Sequence, residues 1–419
     1  MNSNNYLPYL ISINLTNACN LDCPHCYLDA ENRNFDSSNA LFLKDLKPVF
    51  ENVAEMAPGT IIILTGGEPL LHPDLENIIA CGKKLGLRMV MGTNGVLFTK
   101  ELLVRLKKAG LEGVSISLDS VSPESHDSFR GQVGSFVKSC DAFRICRDLS
   151  LHSQVNFTVS HNNLNEIETL PSLAKELGAS MVNYFFLVCV GRGESKLDIT
   201  PQQYEDALTL IARMQQKEKG LMIQARCAPH YKRILYNEDK NSAFTRASGY
   251  DGGGCLAATH YCRISYNGEV TPCPYMELSA GNIKDKSFHE IWKSSILFKN
   301  LRDPEQLQGK CSVCEYKLLC GGCRARSLAQ LGNLLDEDPN CVYIPEGGDL
   351  VEPASFEKNN KVEWTDEAKL RLKRIPLFVR IMVKKKLEER AKREGGVVTP
   401  ELMQRHKEER ENQLGIKFN

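Results

Sequence analysis

Three cysteines near the start of the chain, Cys19, Cys23 and Cys26 in CNLDCPHCY, stand at C-x3-C-x2-C spacing. Three thiolates hold three irons of a [4Fe-4S] cube, whereas full protein ligation takes four. The remaining iron is left open, as a reactive cluster requires if a small molecule is to coordinate there. A structural zinc loop is the alternative, although three cysteines within eight residues is an unusual zinc pattern. A second field begins at Cys255 and runs C-x12-G-x4-C to Cys273, with Cys262 inside. Cys311, Cys314, Cys320 and Cys323 follow as C-x2-C-x5-C-x2-C, and Cys341 closes the set. Eight cysteines suffice for two fully ligated clusters or for a pair of zinc sites. Of the other five, Cys81, Cys140 and Cys146 lie in helical stretches and read as small buried apolar side chains.

Residues 11–216 must position the first group. ISINL (11–15), IIILTG (61–66), RMVMGT (88–93), GVSISLD (113–119), QVNFTV (154–159) and MVNYFFLV (181–188) are short, apolar and β-branched or aromatic. Helically periodic stretches such as 100–110 and 136–149 separate them. This alternation predicts βα units and a parallel sheet. Six units predict an α/β fold, an open, partial TIM-like (βα)6 barrel whose chemistry sits at the C-terminal ends of its strands. The first cysteine loop follows the first strand. TGGEP (65–69) follows the second, TNG (93–95) ends the third, Ser117 and Asp119 end the fourth, and VGRGE (190–194) follows the sixth. From about residue 250 the texture changes to glycine, proline and cysteine loops, which metal clusters can hold together. FHEIW (288–292) reads as a helix packing that segment on the barrel, with Trp292 in the core. The expected division is a barrel over 1–220, a cysteine-rich domain over 221–345, a linker over 346–360 and a basic helical domain over 361–419.

The first spacing, followed by the aromatic Tyr27, resembles the signature of the radical S-adenosylmethionine (SAM) superfamily. The resemblance implies that Cys19, Cys23 and Cys26 hold the reactive cluster, and that Tyr27, Gly66, Gly67, Glu68, Asn94, Ser117, Asp119 and Gly191 surround SAM. Gly66, Gly67 and Glu68 would meet its amino group, Ser117 and Asp119 its ribose, and Gly191 its adenine. Arg130, in HDSFRG, would reach its carboxylate or else be a surface arginine. The second field resembles the SPASM extension, which carries two auxiliary clusters and brings the total to three [4Fe-4S]. By that resemblance Cys255, Cys262, Cys273 and Cys323 hold the inner one, and Cys311, Cys314, Cys320 and Cys341 the outer. CGGC has two residues between its cysteines where the family often has three, which bears on how Cys320 and Cys323 divide. Fully ligated clusters suit electron transfer. An oxidoreductase or lyase of this kind would take electrons from a low-potential donor such as ferredoxin or flavodoxin.

ARCAPHY (225–231) and the runs 254–276 and 320–333 resemble a SPASM branch that modifies heme-like tetrapyrroles in alternative heme biosynthesis or nitrite-reductase heme formation. Cys227 and His230 would then lie near substrate, His230 as an iron ligand or proton carrier, with a satisfied structural histidine as the alternative. Residues 369–393 hold eleven Lys or Arg against two Glu, interleaved with Leu370, Ile375, Leu377, Phe378, Val379, Ile381 and Leu387. The run 372–403 resembles the small helical domain of a light-independent protochlorophyllide reductase subunit. Its basic face would suit propionates, a membrane surface or acidic partners. Nucleic acid is not expected, for want of an aromatic stacking platform. A peptide maturase is the other enzyme class considered. Only about ten residues precede the first strand, little room for a leader-binding domain.

Composition narrows the classes further. The 419 residues are 42% apolar and 25% charged, and 52 basic residues match 52 acidic ones, so net charge selects no partner. No basic-then-apolar start marks a signal peptide, and no apolar run approaches the roughly 18 residues of a membrane span. A cytoplasmic location is the expectation. There, sixteen cysteines point to metal rather than disulfides.

Overall fold

The computed structural model describes residues 6–30, 34–193, 195–242, 245, 254–353, 362–375, 380, 383–384, 386–388, 390–391 and 397–414. Seven strands form in chain order: β1 Leu10–Asn14, β2 Ile61–Thr65, β3 Arg88–Thr93, β4 Leu111–Ser117, β5 His152–Val159, β6 Met181–Phe186 and β7 Met222–Arg226. Each pairs in parallel with the next, so the six expected βα units are present. The sheet is wider than expected. β7 adds beside β6, and β8 (Tyr261–Ile264) pairs in parallel with β1 on the opposite edge. β9 (Glu269–Thr271) and β10 (Gly281–Asn282) then continue antiparallel, so one ten-stranded sheet carries both barrel and cysteine-rich strands.

The strands alternate rather than being apolar throughout. Ile11, Ile13, Ile62, Leu64, Ile116 and Val155 are fully buried against the helices. Each such side chain contributes roughly 1.5–3 kcal/mol when taken from water. Many of the alternate positions are polar, Ser12 and Asn14 on β1, Ser115 and Ser117 on β4, Asn156 on β5 and Asn183 on β6, with Ile63 on β2, Val90 on β3 and Phe185 on β6 apolar among them. They face the lumen, and the polar ones give the barrel interior its hydrogen-bonding groups.

Helices return the chain between strands: α1 Leu43–Met56, α2 Leu75–Lys84, α3 Lys100–Ala109, α4 Pro123–Arg130, α5 Ser135–Asp148, α6 Leu170–Glu176, α7 Pro201–Lys217 and α8 His230–Asp239. Their ends are set locally. The Thr99 hydroxyl caps α3, Ser122 caps α4 ahead of Pro123, and Thr200 with Gln203 forms a capping box on α7. Cys140 and Cys146 are buried along α5. Helix Phe288–Ser294 packs beside α1, with Trp292 1% exposed and its indole N–H donating to Tyr6 O at 2.9 Å.

Near the C-terminus, Glu363–Trp364 pairs with Val397–Val398, and Ala368, Leu387, Ala391, Val398, Leu402 and Met403 bury a small cluster of their own. Leu377, Phe378, Val379 and Ile381 of the basic run lie outside the described residues, as do 354–360 of the expected linker. Among the described residues, no helix is long and apolar enough to cross a membrane.

Candidate active site

The cysteine loop leaves β1 at Asn14, whose side-chain amide donates to the Tyr27 hydroxyl at 2.9 Å and ties the far end of the loop to the strand. Cys19, Cys23 and Val96 pack together around Leu21. Burial pushes the Cys19 thiol up to about 12 and raises Cys23, and the thiols push one another in the same direction. Arg130 opposes this at Cys23, with Nη1 3.7 Å from Sγ. Buried, mutually repelling thiols remain neutral until a cation draws off their protons, so the donor set fits an iron–sulfur cluster.

Two glycine loops clamp this segment. At Gly66, φ is +136°, and an added Cβ would stand 2.4 Å from Thr16 O; one at Gly67 would stand 2.0 Å from Ala18 O. Gly67 N–H and Glu68 N–H donate to those two carbonyls at 2.8 Å each. These glycines therefore let the second loop lie against the residues that lead into Cys19. Gly191 does the same from the other side: with φ at +60°, its Cβ would meet Cys26 O at 2.5 Å. Arg192 N–H donates to Cys26 O at 3.0 Å, and its guanidinium pairs with Asp22. Glu194 lies outside the described residues.

Glu68 is fully buried. Its carboxylate accepts from Thr93 Oγ1 at 2.8 Å, Asn94 N at 2.9 Å and Leu70 N at 3.1 Å, joining the loops after β2 and β3. Burial raises its pKa to about 7 despite these bonds. Asn94 reaches back to Asn20 Oδ1 at 2.8 Å. Thus Glu68 and Asn94 brace the cysteine loop from beneath.

Asp119 and Arg130, expected at the ribose and carboxylate of SAM, pair with each other. Burial opposes charge on both, but their attraction for each other, with Thr158 N–H at Asp119 and Cys23 at Arg130, together lowers the Asp119 pKa and raises that of Arg130. Asp119 also accepts from Thr158 N at 2.6 Å. Ser117 ends β4 half-buried, with no side-chain partner among the described residues. His25 stacks on Phe129 at 4.3 Å, and burial lowers its pKa to about 3.

The second field resolves into two groups. Cys311, Cys314, Cys320 and Cys341 line one cavity, as expected for the outer set, with Lys310 and Arg233 at its wall. Gly321 and Gly322 both take positive φ, and a Cβ on Gly322 would stand 3.2 Å from Cys311 Sγ. That turn separates Cys320 from Cys323, which packs with Cys273 in another cluster.

The inner set differs from expectation at one position. Cys255, Cys273 and Cys323 lie together, but Cys262 is not with them. Paired with Ile11 on β1, it points into the helix-side core at 0% exposure, with Arg302 its charged neighbour. Cys227 lies in their group instead, packed with Cys255, Cys273 and Cys323, and burial pushes its thiol up to about 12. Its φ is +59°, a costly backbone state for a residue with a side chain.

His230, expected near substrate, is 1% exposed with Nε2 2.9 Å from Asp338 Oδ2. Asp338 also accepts from Cys323 N at 2.7 Å and from Arg326 Nη1 at 2.9 Å. Arg326 in turn donates to Tyr204 Oη and Cys227 O. Sequence reasoning passed over Asp338 and Arg326, whose signal was an acid three residues before Cys341 and an arginine three after Cys323. Tyr275 links the two halves of the site, with its ring edge-on to Tyr27 at 5.5 Å and its hydroxyl bonded to Cys227.

This parallel barrel with an N-terminal cysteine clamp matches known families. The radical SAM superfamily matches residues 13–174, the SPASM iron–sulfur cluster-binding domain 255–315, and the proto-chlorophyllide reductase 57 kD subunit 364–407. The chain belongs to the radical SAM superfamily, in its SPASM-bearing branch. It is 41% identical over 343 residues to the AdoMet-dependent heme synthase of Methanosarcina barkeri, covering 81% of this chain and 97% of that one. Identity to the PqqA peptide cyclase of Gluconobacter oxydans is 28%, covering 85% and 96%. Streptococcus suis SuiB bound to S-adenosylmethionine shares the fold, with a TM-score of 0.66, 19% identity, and coverage of 81% and 78%.

Proposed function

We propose that this chain is a radical SAM enzyme that oxidatively decarboxylates side chains of a heme-like tetrapyrrole. The observation that carries the reading is the placement of the first cysteine loop at one end of a partly polar lumen, with a second thiol group one tyrosine pair away. Likeness to a heme synthase at 41% identity, against 28% to the peptide cyclase, favours a tetrapyrrole over a peptide. With SAM bound, an open-iron cluster supplies a carbon radical that takes hydrogen from unactivated carbon. A propionate that loses one hydrogen atom, one electron and carbon dioxide becomes a vinyl group.

The chain's own residues hold the geometry. Gly66, Gly67 and Gly191 press neighbouring loops onto the Cys19–Cys26 segment, and Glu68 and Asn94 brace it. Arg130 offsets negative charge at Cys23. The interior polar residues offer hydrogen bonds to a carboxylated ligand, beside apolar ones such as Ile63 and Val90 that suit its ring. Our reading of the metal complement is three [4Fe-4S] clusters, held by Cys19, Cys23 and Cys26, by Cys227, Cys255, Cys273 and Cys323, and by Cys311, Cys314, Cys320 and Cys341. Titration of the reconstituted protein with iron coproporphyrin or didecarboxysiroheme tests the substrate class. A saturable optical change is expected, and none with either compound would overturn it.

A further inference from the structure

Arg226 has no role so far. It is the last residue of β7 and shares the face of Met222 and Gln224, opposite Ile223, which lies in the helix-side core. Its register partner on β6 is Phe185, and its Nε donates to Asn183 Oδ1 at 3.0 Å. Asn183 is 2% exposed and donates in turn to Asn156 Oδ1 at 3.3 Å. Arg226 therefore belongs to the lumen's polar row, beside Cys227 of the inner thiol group. Unlike that row, its side chain is exposed. The lumen arginine on the opposite edge, Arg263, is 5% exposed and spends Nη1 on Pro274 O.

Among the described residues, no carboxylate pairs with Arg226. Its ring neighbours are Tyr9 and Tyr231, and its amide partner occupies Nε alone. Both terminal nitrogens remain available, in the planar fork that grips a carboxylate through two parallel bonds. An exposed guanidinium in the lumen's polar row, with no carboxylate partner among the described residues, can take one from a ligand without first breaking an ion pair. Resting on the tetrapyrrole reading above, we infer that Arg226 binds a propionate carboxylate of the substrate and orients the ring between the first cysteine loop and the inner thiol group.

The test compares iron coproporphyrin with its methyl ester, which keeps the ring and metal but removes the charge. Binding is followed by optical titration of wild type, Arg226→Ala and Arg226→Lys, with iron content and circular dichroism reporting the fold. Loss of a charged bidentate contact should weaken free-acid binding by about 10- to 100-fold in Arg226→Ala. Ester binding should be nearly unchanged, and Arg226→Lys should recover part of the acid preference. Equal weakening of acid and ester, or no weakening of either, would overturn the inference while leaving the substrate class intact. Failure of wild type to bind either porphyrin would overturn both.

Discussion

At the scale of single residues, the two cysteines whose places changed make opposite predictions. Cys227→Ala should alter the iron content and electron paramagnetic resonance of the auxiliary clusters. Cys262→Ala should leave both unchanged and cost about 1–2 kcal/mol of stability through a small core cavity, read by thermal unfolding. If Cys262→Ala instead removes iron, the inner set proposed here is wrong. The family resemblance put Cys262 in the inner set, whereas strand parity decides which way its side chain points. Cys262 shares a face with Ile11 and points away from the lumen. Cys227, 28 residues before Cys255, reaches the group only through the left-handed turn that ends β7. The first cysteine loop was legible because its three cysteines lie within eight residues of one another and need no tertiary pairing.

Among the elements, the loops between strands carry the greatest demands on shape. Gly67→Ala would drive a methyl into Ala18 O, 2.0 Å away. We expect this variant to fold yet bind SAM several-fold more weakly and retain less iron at the first site, measured by equilibrium dialysis and iron analysis. Strand order and loop positions were readable from hydrophobic alternation and glycine runs. The added strands β7 and β8 were not, because residues 222–226 and 261–264 lack a long apolar signal and are recruited by pairing with β6 and β1.

The Asp338 hub joins helix α8, the CGGC turn and the Arg326 helix. Burial alone would raise its carboxyl pKa, but Arg326, His230 and the Cys323 N–H together hold it well below the usual carboxylate range. A depressed folded-state pKa gives stability that is present above the unfolded value and lost as pH falls toward the folded one. Asp338→Asn should therefore cost about 3–5 kcal/mol at neutral pH, with the gap to wild type narrowing below about pH 4. Thermal unfolding of both proteins across that range checks the sign; a gap that widens in acid would contradict it.

In the whole molecule, the barrel and cysteine-rich strands share one sheet, while the C-terminal residues form a separate hydrophobic cluster. The heme synthase match covers 97% of that relative and leaves part of this chain unmatched. A chain ended after residue 353 should accordingly still cleave SAM, with 5′-deoxyadenosine as the readout. Composition and cysteine count indicated a metalloprotein, but neither could indicate which polar side chains line the lumen, since that depends on which alternate positions face inward. The most direct measurement is turnover of the anaerobically reconstituted protein with SAM, a reductant and iron coproporphyrin, following porphyrin mass and 5′-deoxyadenosine together. Loss of carbon dioxide and one hydrogen atom from a propionate, matched by one 5′-deoxyadenosine, is predicted. Steady 5′-deoxyadenosine formation with the porphyrin unchanged would contradict the account.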